Sequence, residues 1–129
     1  AQHSVMLADY FIAQGKTELA KQALLHEVGE AFMGDLISPI KALFGLFKAI
    51  EEKLVKKVFC CYGLSYPMHH DIHVADKRIM INEALALMPN PNHWKKFGEP
   101  LPDIKIEVWT QDESFDKFME TAKILGLLK

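Results

Sequence analysis

The chain lacks the features typical of secreted disulfide-rich, membrane-spanning or nucleic-acid-binding proteins. Its two cysteines, Cys60 and Cys61, are adjacent among 129 residues and make no disulfide framework, which favours a reducing cytoplasm. No apolar run reaches the roughly 18 residues that a membrane span needs. With 15 basic against 17 acidic residues, the net charge of −2 provides no general attraction to nucleic acid or membranes.

Apolar residues, by contrast, are abundant. Half of the chain is hydrophobic, which is enough to bury a core in one domain of this length. We therefore expect a single domain over residues 1–129. Because His3, a candidate functional residue, stands so near the start, we also expect a further segment upstream of Ala1.

The spacing of the apolar residues predicts an all-α fold, a helical bundle of about five or six helices. Residues 4–13 repeat apolar positions at helical spacing, and similar patterns predict helices over about 18–33, 39–61, 71–88 and 111–125.

Local signals set the helix boundaries. Gly34 predicts the end of the second helix, Ser38–Pro39 the start of the third, and Thr110 to Glu113 has the capping-box form T-x-x-E. Four prolines predict a loop over 89–103. The alternation of IKIEVW over 104–109 allows one short extended segment near the C-terminus.

The second predicted helix carries polar groups among apolar neighbours. His26 and Glu30 are four residues apart and Glu27 and Glu30 three apart, so all three can project toward one side of the helix. Two explanations remain open. The carboxylates can face water along a solvated edge, or imidazole nitrogen and carboxylate oxygen can bind a divalent cation.

Two further ligand-type residues lie on other predicted helices. His3 opens the first helix, and Asp76 stands inside the fourth, where aspartate is unfavourable. Brought together with His26 and Glu27, they would form a cage of two nitrogen and two oxygen ligands, suited to Mn²⁺, Co²⁺, Mg²⁺, Zn²⁺ or Fe²⁺. The simpler alternatives are a frayed His3 and an Asp76 paired with a neighbouring basic residue on the surface.

A second His–Asp pair competes for the role. His70–Asp71 follows the turn at Pro67, and Asp71 suits the N-cap of the fourth helix. No apolar helical run precedes this pair. We therefore prefer His26–Glu27 and keep His70–Asp71 as the alternative.

The order His, His–acid, Asp on successive helices resembles that of the HD-domain metal-dependent phosphohydrolases. It is most similar to the small nucleotidase branch, which includes 5′-deoxynucleotidases and phage-borne dATP triphosphohydrolases. HEVGEAFMGDLISPIK, residues 26–41, resembles that branch's HDxxEAxxGDxxxPxK stretch. The resemblance covers nearly the whole chain. It implies an HD-like domain in which His3, His26, Glu27 and Asp76 hold the metal.

The resemblance also implies roles for the residues around the metal. Glu30 matches the catalytic glutamate, and Asp35 matches the acidic residue after the glycine of the motif. Lys41 would balance the charge of the substrate phosphate. The chain departs from the pattern where Glu27 replaces the usual aspartate, and the branch's upstream arginine has no counterpart after Ala1.

The resemblance implies a metal-dependent phosphohydrolase that attacks (deoxy)nucleoside phosphates with water. The alternative is a non-catalytic HD-like module that binds a nucleotide or a partner protein. The apolar face of the third predicted helix favours a homodimer. We expect a small-molecule nucleotide as substrate, and neither nucleic acid nor a membrane as partner.

Overall fold

A computed structural model describes residues 1–34, 36–41 and 43–128 of the chain. Over these stretches the backbone forms seven α-helices and one short 3-10 helix, and no described residue belongs to a strand. The all-α prediction is confirmed. Residues 104–109, where an extended segment was allowed, lie outside the helices and join no sheet with any described residue.

The helices follow one another in the order α1 (Gln2–Ala13), α2 (Thr17–Leu25), α3 (Val28–Met33), α4 (Ser38–Lys41), α5 (Gly45–Cys61), α6 (His70–Leu87), the 3-10 helix (Pro91–Phe97) and α7 (Gln111–Ile124). Among the described residues, none of these helices has both the length and the apolar character needed to cross a bilayer.

The core forms where α1 packs against α2, α6 and α7. Val5, Leu7 and Phe11, three of the predicted apolar positions of α1, are at most 2% exposed. They share one buried cluster with Leu24 of α2, Ile72 and Ile79 of α6, and Ala122 of α7. Helix α1 begins two residues earlier than predicted, and this places His3 in its first turn.

The single helix predicted over 18–33 is wrong, because the chain turns at His26 and Glu27 between α2 and α3. The ring Nδ1–H of His26 donates to the carbonyl of Ala23 at 2.6 Å. When a side chain donates to a backbone carbonyl that a helical N–H would otherwise use, the helix is interrupted at that point. Gly34, at φ +80°, then ends α3 as predicted.

The continuous helix predicted over 39–61 is also wrong, since the chain forms the short α4 and then restarts as α5 at Gly45. Glycine propagates a helix poorly, so the break falls beside it. The separation lets α4 bring Lys41 back toward α5, where its Nζ lies 3.0 Å from Glu51 Oε1.

Gly29 allows α3 and α5 to lie unusually close. A Cβ at this position would stand 2.6 Å from Cγ of Glu51 and 3.3 Å from Cγ2 of Val55. The first distance is shorter than real Cβ contacts and the second is tight, so a larger residue at this crossing would force the Glu51 side chain to shift. The close approach places Glu51 beside the helix that carries Glu30.

Side chains anchor the two long connections to the helices. The buried amide of Gln22 accepts a hydrogen bond from the His69 backbone N–H at 2.8 Å and donates to Ser65 Oγ at 3.1 Å. Asn82 exchanges two hydrogen bonds with the backbone of Leu101, at 2.9 and 2.8 Å. The first anchor fixes the loop that forms one wall of the site described below.

Candidate metal centre

Three separate parts of the chain bring His3, His26 and Asp76 together. His3 comes from the first turn of α1, His26 from the turn after α2, and Asp76 from the middle of α6. One ligand atom from each lies within 4.8 Å of the other two. Nε2 of His3 is 2.9 Å from Asp76 Oδ1, and Nε2 of His26 is 3.7 Å from the same oxygen.

The backbone fixes the orientation of the His26 ring. Because Nδ1 is 2.6 Å from the Ala23 carbonyl, Nδ1 must carry the proton and donate. Nε2 is therefore the ring nitrogen left for a cation, and it is this atom that faces Asp76 Oδ1 at 3.7 Å. The side chain is only 7% exposed, so the turn presents a pre-oriented nitrogen ligand.

His3 lies between two carboxylates of α6. Its Nε2 contacts Asp76, and its Nδ1 is 2.9 Å from Glu83 Oε1. Burial works against the charged ring, but the hydrogen bonds to Asp76 and Glu83 outweigh it and raise the pKa of His3 to about 10. At neutral pH the ring therefore carries a proton on each nitrogen, and a cation would have to replace the proton on Nε2.

Asp76 is the anion that the two histidines share. Burial alone would raise its pKa, but His26 and His3 outweigh burial and hold the pKa below the usual range. The carboxylate stays ionised at neutral pH. Because its side chain is 41% exposed, it also remains open to the pocket that leads to solvent.

This donor set fits a divalent cation. Two imidazole nitrogens and one carboxylate oxygen suit Zn²⁺, Mn²⁺, Co²⁺ or Fe²⁺. The group formed by His3, His26 and Asp76 is the one cluster of this kind in the described part of the chain.

The predicted fourth ligand, Glu27, is not in this group. Its Oε2 accepts a hydrogen bond from the buried Ser4 hydroxyl at 2.7 Å. Glutamate is one methylene longer than aspartate, and the Glu27 carboxylate reaches the Ser4 hydroxyl on α1. Ligation by Glu27 stays a prediction, and its other oxygen, Oε1, is the atom that could ligate while Oε2 keeps the Ser4 hydrogen bond.

Glu30, the predicted catalytic glutamate, is held by Lys41. Nζ of Lys41 donates to Glu30 Oε1 at 3.1 Å and to Glu51 Oε1 at 3.0 Å. Burial would lower the pKa of Lys41, but the hydrogen bonds to Glu51 and Glu30 outweigh it and raise that pKa. The predicted phosphate-binding lysine therefore supplies positive charge directly beside Glu30.

A pocket of about 370 Å³ gives access to the centre. His26, Asp76, Glu27 and Glu30 line it, and the anchored loop contributes Tyr66 to the wall. A larger, mainly apolar cavity of about 730 Å³ lies between α1, α3 and α7, and Glu27 and Glu30 line it as well. The two glutamates therefore stand between two cavities.

The remaining predicted positions fall elsewhere. Asp35, predicted as catalytic, lies outside the described residues. His70 and Asp71, the alternative pair, are exposed at the start of α6, where His69 is the N-cap in place of the predicted Asp71.

Sequence reasoning missed Glu83 and Glu51. Glu83 follows Asp76 by seven residues, which is two helical turns and the same face of α6. That spacing was available as a signal. No comparable signal joins Glu51 to Lys41, because the two lie on different helices, α5 and α4.

Comparison with known proteins adds a single distant similarity. No family model matches the chain, and no solved structure gives a significant match. The chain is 34% identical over 83 residues to the uncharacterized protein YfdR of Escherichia coli (strain K12). The matched stretch covers 64% of this chain and 44% of YfdR, so the chain spans less than half the length of this curated relative.

Proposed function

We propose that the chain is an HD-like, metal-dependent phosphohydrolase that acts on nucleoside phosphates. The observation that supports this most strongly is the convergence of His3, His26 and Asp76, whose ligand atoms lie within 4.8 Å of one another although they come from three parts of the chain. The resemblance of residues 26–41 to the nucleotidase motif supplies the reaction class.

In the proposed reaction, His3, His26 and Asp76 hold the cation. A divalent cation bound there neutralises phosphate charge and makes water a stronger acid. The ring of His26 is already oriented by the Ala23 carbonyl, which lowers the cost of assembling the site. Asp76 supplies the negative charge that offsets the cation.

Glu30 is the proposed general base. It lines the same pocket as His26 and Asp76, so its carboxylate can orient a water molecule there and accept its proton. Lys41 holds Glu30 in place at 3.1 Å and offers positive charge for a phosphate oxygen. Asp35 stays a prediction as a second catalytic acid.

The substrate is proposed to be a deoxynucleoside monophosphate or triphosphate, as the resemblance implies. A pocket of about 370 Å³ falls in the size range of small-molecule sites. We also propose that the protein works in the cytoplasm, since Cys60 and Cys61 are both free and exposed and such thiols persist in reducing compartments.

The function is tested by a phosphate-release screen over nucleoside mono- and triphosphates with Mn²⁺, Co²⁺ or Mg²⁺. We expect metal-dependent hydrolysis of at least one class, and loss of activity after chelation. Nucleoside plus phosphate would indicate a nucleotidase, and nucleoside plus tripolyphosphate a triphosphohydrolase. Absence of hydrolysis in a sample that holds a full equivalent of metal would contradict the proposal.

The alternative is a non-catalytic module that binds a nucleotide or a partner protein. It is favoured because the predicted ligand Glu27 and the predicted base Glu30 already have hydrogen-bond partners, Ser4 and Lys41 respectively. Such a module would bind a nucleotide with measurable affinity in calorimetry, yet release no phosphate from it.

A homodimer is also proposed. Large apolar side chains are exposed along the segment from α3 to α5, among them Phe32 at 72%, Leu43 at 80% and Leu46 at 75%. Exposed apolar surface of this kind favours association. We expect Leu46→Glu to shift the protein toward monomer in sedimentation velocity, while Leu87→Glu, at an exposed site on α6, does not. A wild-type monomer at micromolar concentration would contradict the dimer.

A further inference from the structure

We propose that Glu83 is a positioning residue of the metal centre. It holds the Nδ1–H of His3 so that Nε2 of that ring faces the cation. The inference rests on the proposed metal site and assigns a role to a residue outside the ligand set.

The geometry places the His3 ring between two carboxylates of one helix. Asp76 Oδ1 and Glu83 Oε1 each lie 2.9 Å from a different ring nitrogen. Seven residues along α6 correspond to about 10 Å, or two turns, so the two carboxylates share one face of the helix and can approach opposite nitrogens of one ring. Glu83 is the hydrogen-bond partner of Nδ1 within the described residues.

His3 needs such a partner more than His26 does. The Nδ1 of His26 is fixed by the Ala23 carbonyl of its own helix. His3 has no equivalent backbone contact among the hydrogen bonds of the described chain. A neutral imidazole can carry its proton on either nitrogen, and only the Nδ1–H form leaves Nε2 free to bind a metal.

A carboxylate that accepts from the far nitrogen of a ligating histidine fixes both the tautomer and the ring orientation. Glu83 meets this description, since its side chain is 28% exposed and its contact is to Nδ1 and not to the shared ligand position. The competing explanation is that Glu83 only ties α1 to α6 and has no effect on metal binding.

The variants Glu83→Ala and Glu83→Gln distinguish the two explanations. Glu120→Ala, at an exposed position of α7, is the matched control. Co²⁺ affinity is measured by competition with a chelator, and the visible spectrum of bound Co²⁺ reports the ligand geometry. We expect Glu83→Ala to weaken Co²⁺ binding about 10- to 100-fold and to alter the spectrum. Glutamine should recover most of the loss, because its amide oxygen still accepts from Nδ1–H.

Two results would overturn the inference: wild-type affinity and spectrum in Glu83→Ala, or equal losses in the alanine and glutamine variants. A wild-type chain that binds no Co²⁺ would instead overturn the proposed function itself. If the alanine variant fails to fold, Glu83→Asp replaces it, because the shorter side chain keeps the charge but withdraws its oxygen from Nδ1–H of His3. We expect weaker Co²⁺ binding in Glu83→Asp than in Glu83→Gln, and wild-type affinity in Glu83→Asp would overturn the inference.

Discussion

Replacing Asp76 by asparagine is expected to abolish metal binding and, with it, phosphate release. Asp76 Oδ1 is the oxygen that both histidines approach, at 2.9 and 3.7 Å. Asparagine keeps the shape but removes the negative charge that offsets the cation. Removing a residue that merely supports a ligand costs about 10- to 100-fold in metal affinity, and we expect the loss of this ligand to exceed that range.

The matched control is Asp71→Asn, which makes the same chemical change five residues earlier on α6, at an exposed position outside the cluster. Metal content by elemental analysis and affinity by calorimetry provide the measurement, and circular dichroism checks that both variants fold. Metal retained by Asp76→Asn and lost by Asp71→Asn would favour the His70–Asp71 pair and contradict the site.

Replacing Glu30 by glutamine is expected to reduce phosphate release by about 10²- to 10⁴-fold, the usual contribution of a general base, while metal content stays near that of the wild type. Glu30 is not in the cluster of ligand atoms, so the cation should remain. Lys41 keeps Glu51 as a partner at 3.0 Å, and this limits the disturbance to the pocket.

The control for this variant is Glu18→Gln, an exposed glutamate of α2 paired with Lys21. Single-turnover phosphate release and metal content are measured on the same samples. Full activity in Glu30→Gln would show that another group activates water. A parallel loss of metal and activity would show that Glu30 acts as a ligand.

The helices that were predicted correctly are specified by neighbouring residues. The apolar spacing of Val5, Leu7 and Phe11 predicts the buried face of α1. The capping box at Thr110 and Glu113 is formed as predicted, with Glu113 accepting from the Thr110 backbone N–H at 2.7 Å. Signals of this kind act over one or two helical turns, so they can be read without knowledge of the fold.

The breaks in the predicted helices depend on contacts that the apolar pattern does not contain. The turn at His26 arises because its ring Nδ1–H donates to the Ala23 carbonyl. The apolar spacing continues through this turn, so it predicts an unbroken helix. The division between α4 and α5 likewise accompanies the return of Lys41 to Glu51. Competition between a side chain and the helical ladder is decided by the surrounding structure.

From the residues alone, His3, His26, Glu27 and Asp76 were predicted to converge, and His3, His26 and Asp76 lie together in the structure. Their binding of a metal stays a prediction. The placement of Glu27 against Ser4, the pairing of Lys41 with Glu30 and Glu51, and the contact of Glu83 with His3 followed only from the packed helices. Helical periodicity assigns a side chain to a face of its helix. It carries no information about which distant helix that face will meet, because the meeting depends on packing between residues far apart in the chain, such as His3 and Glu83, which are 80 residues apart.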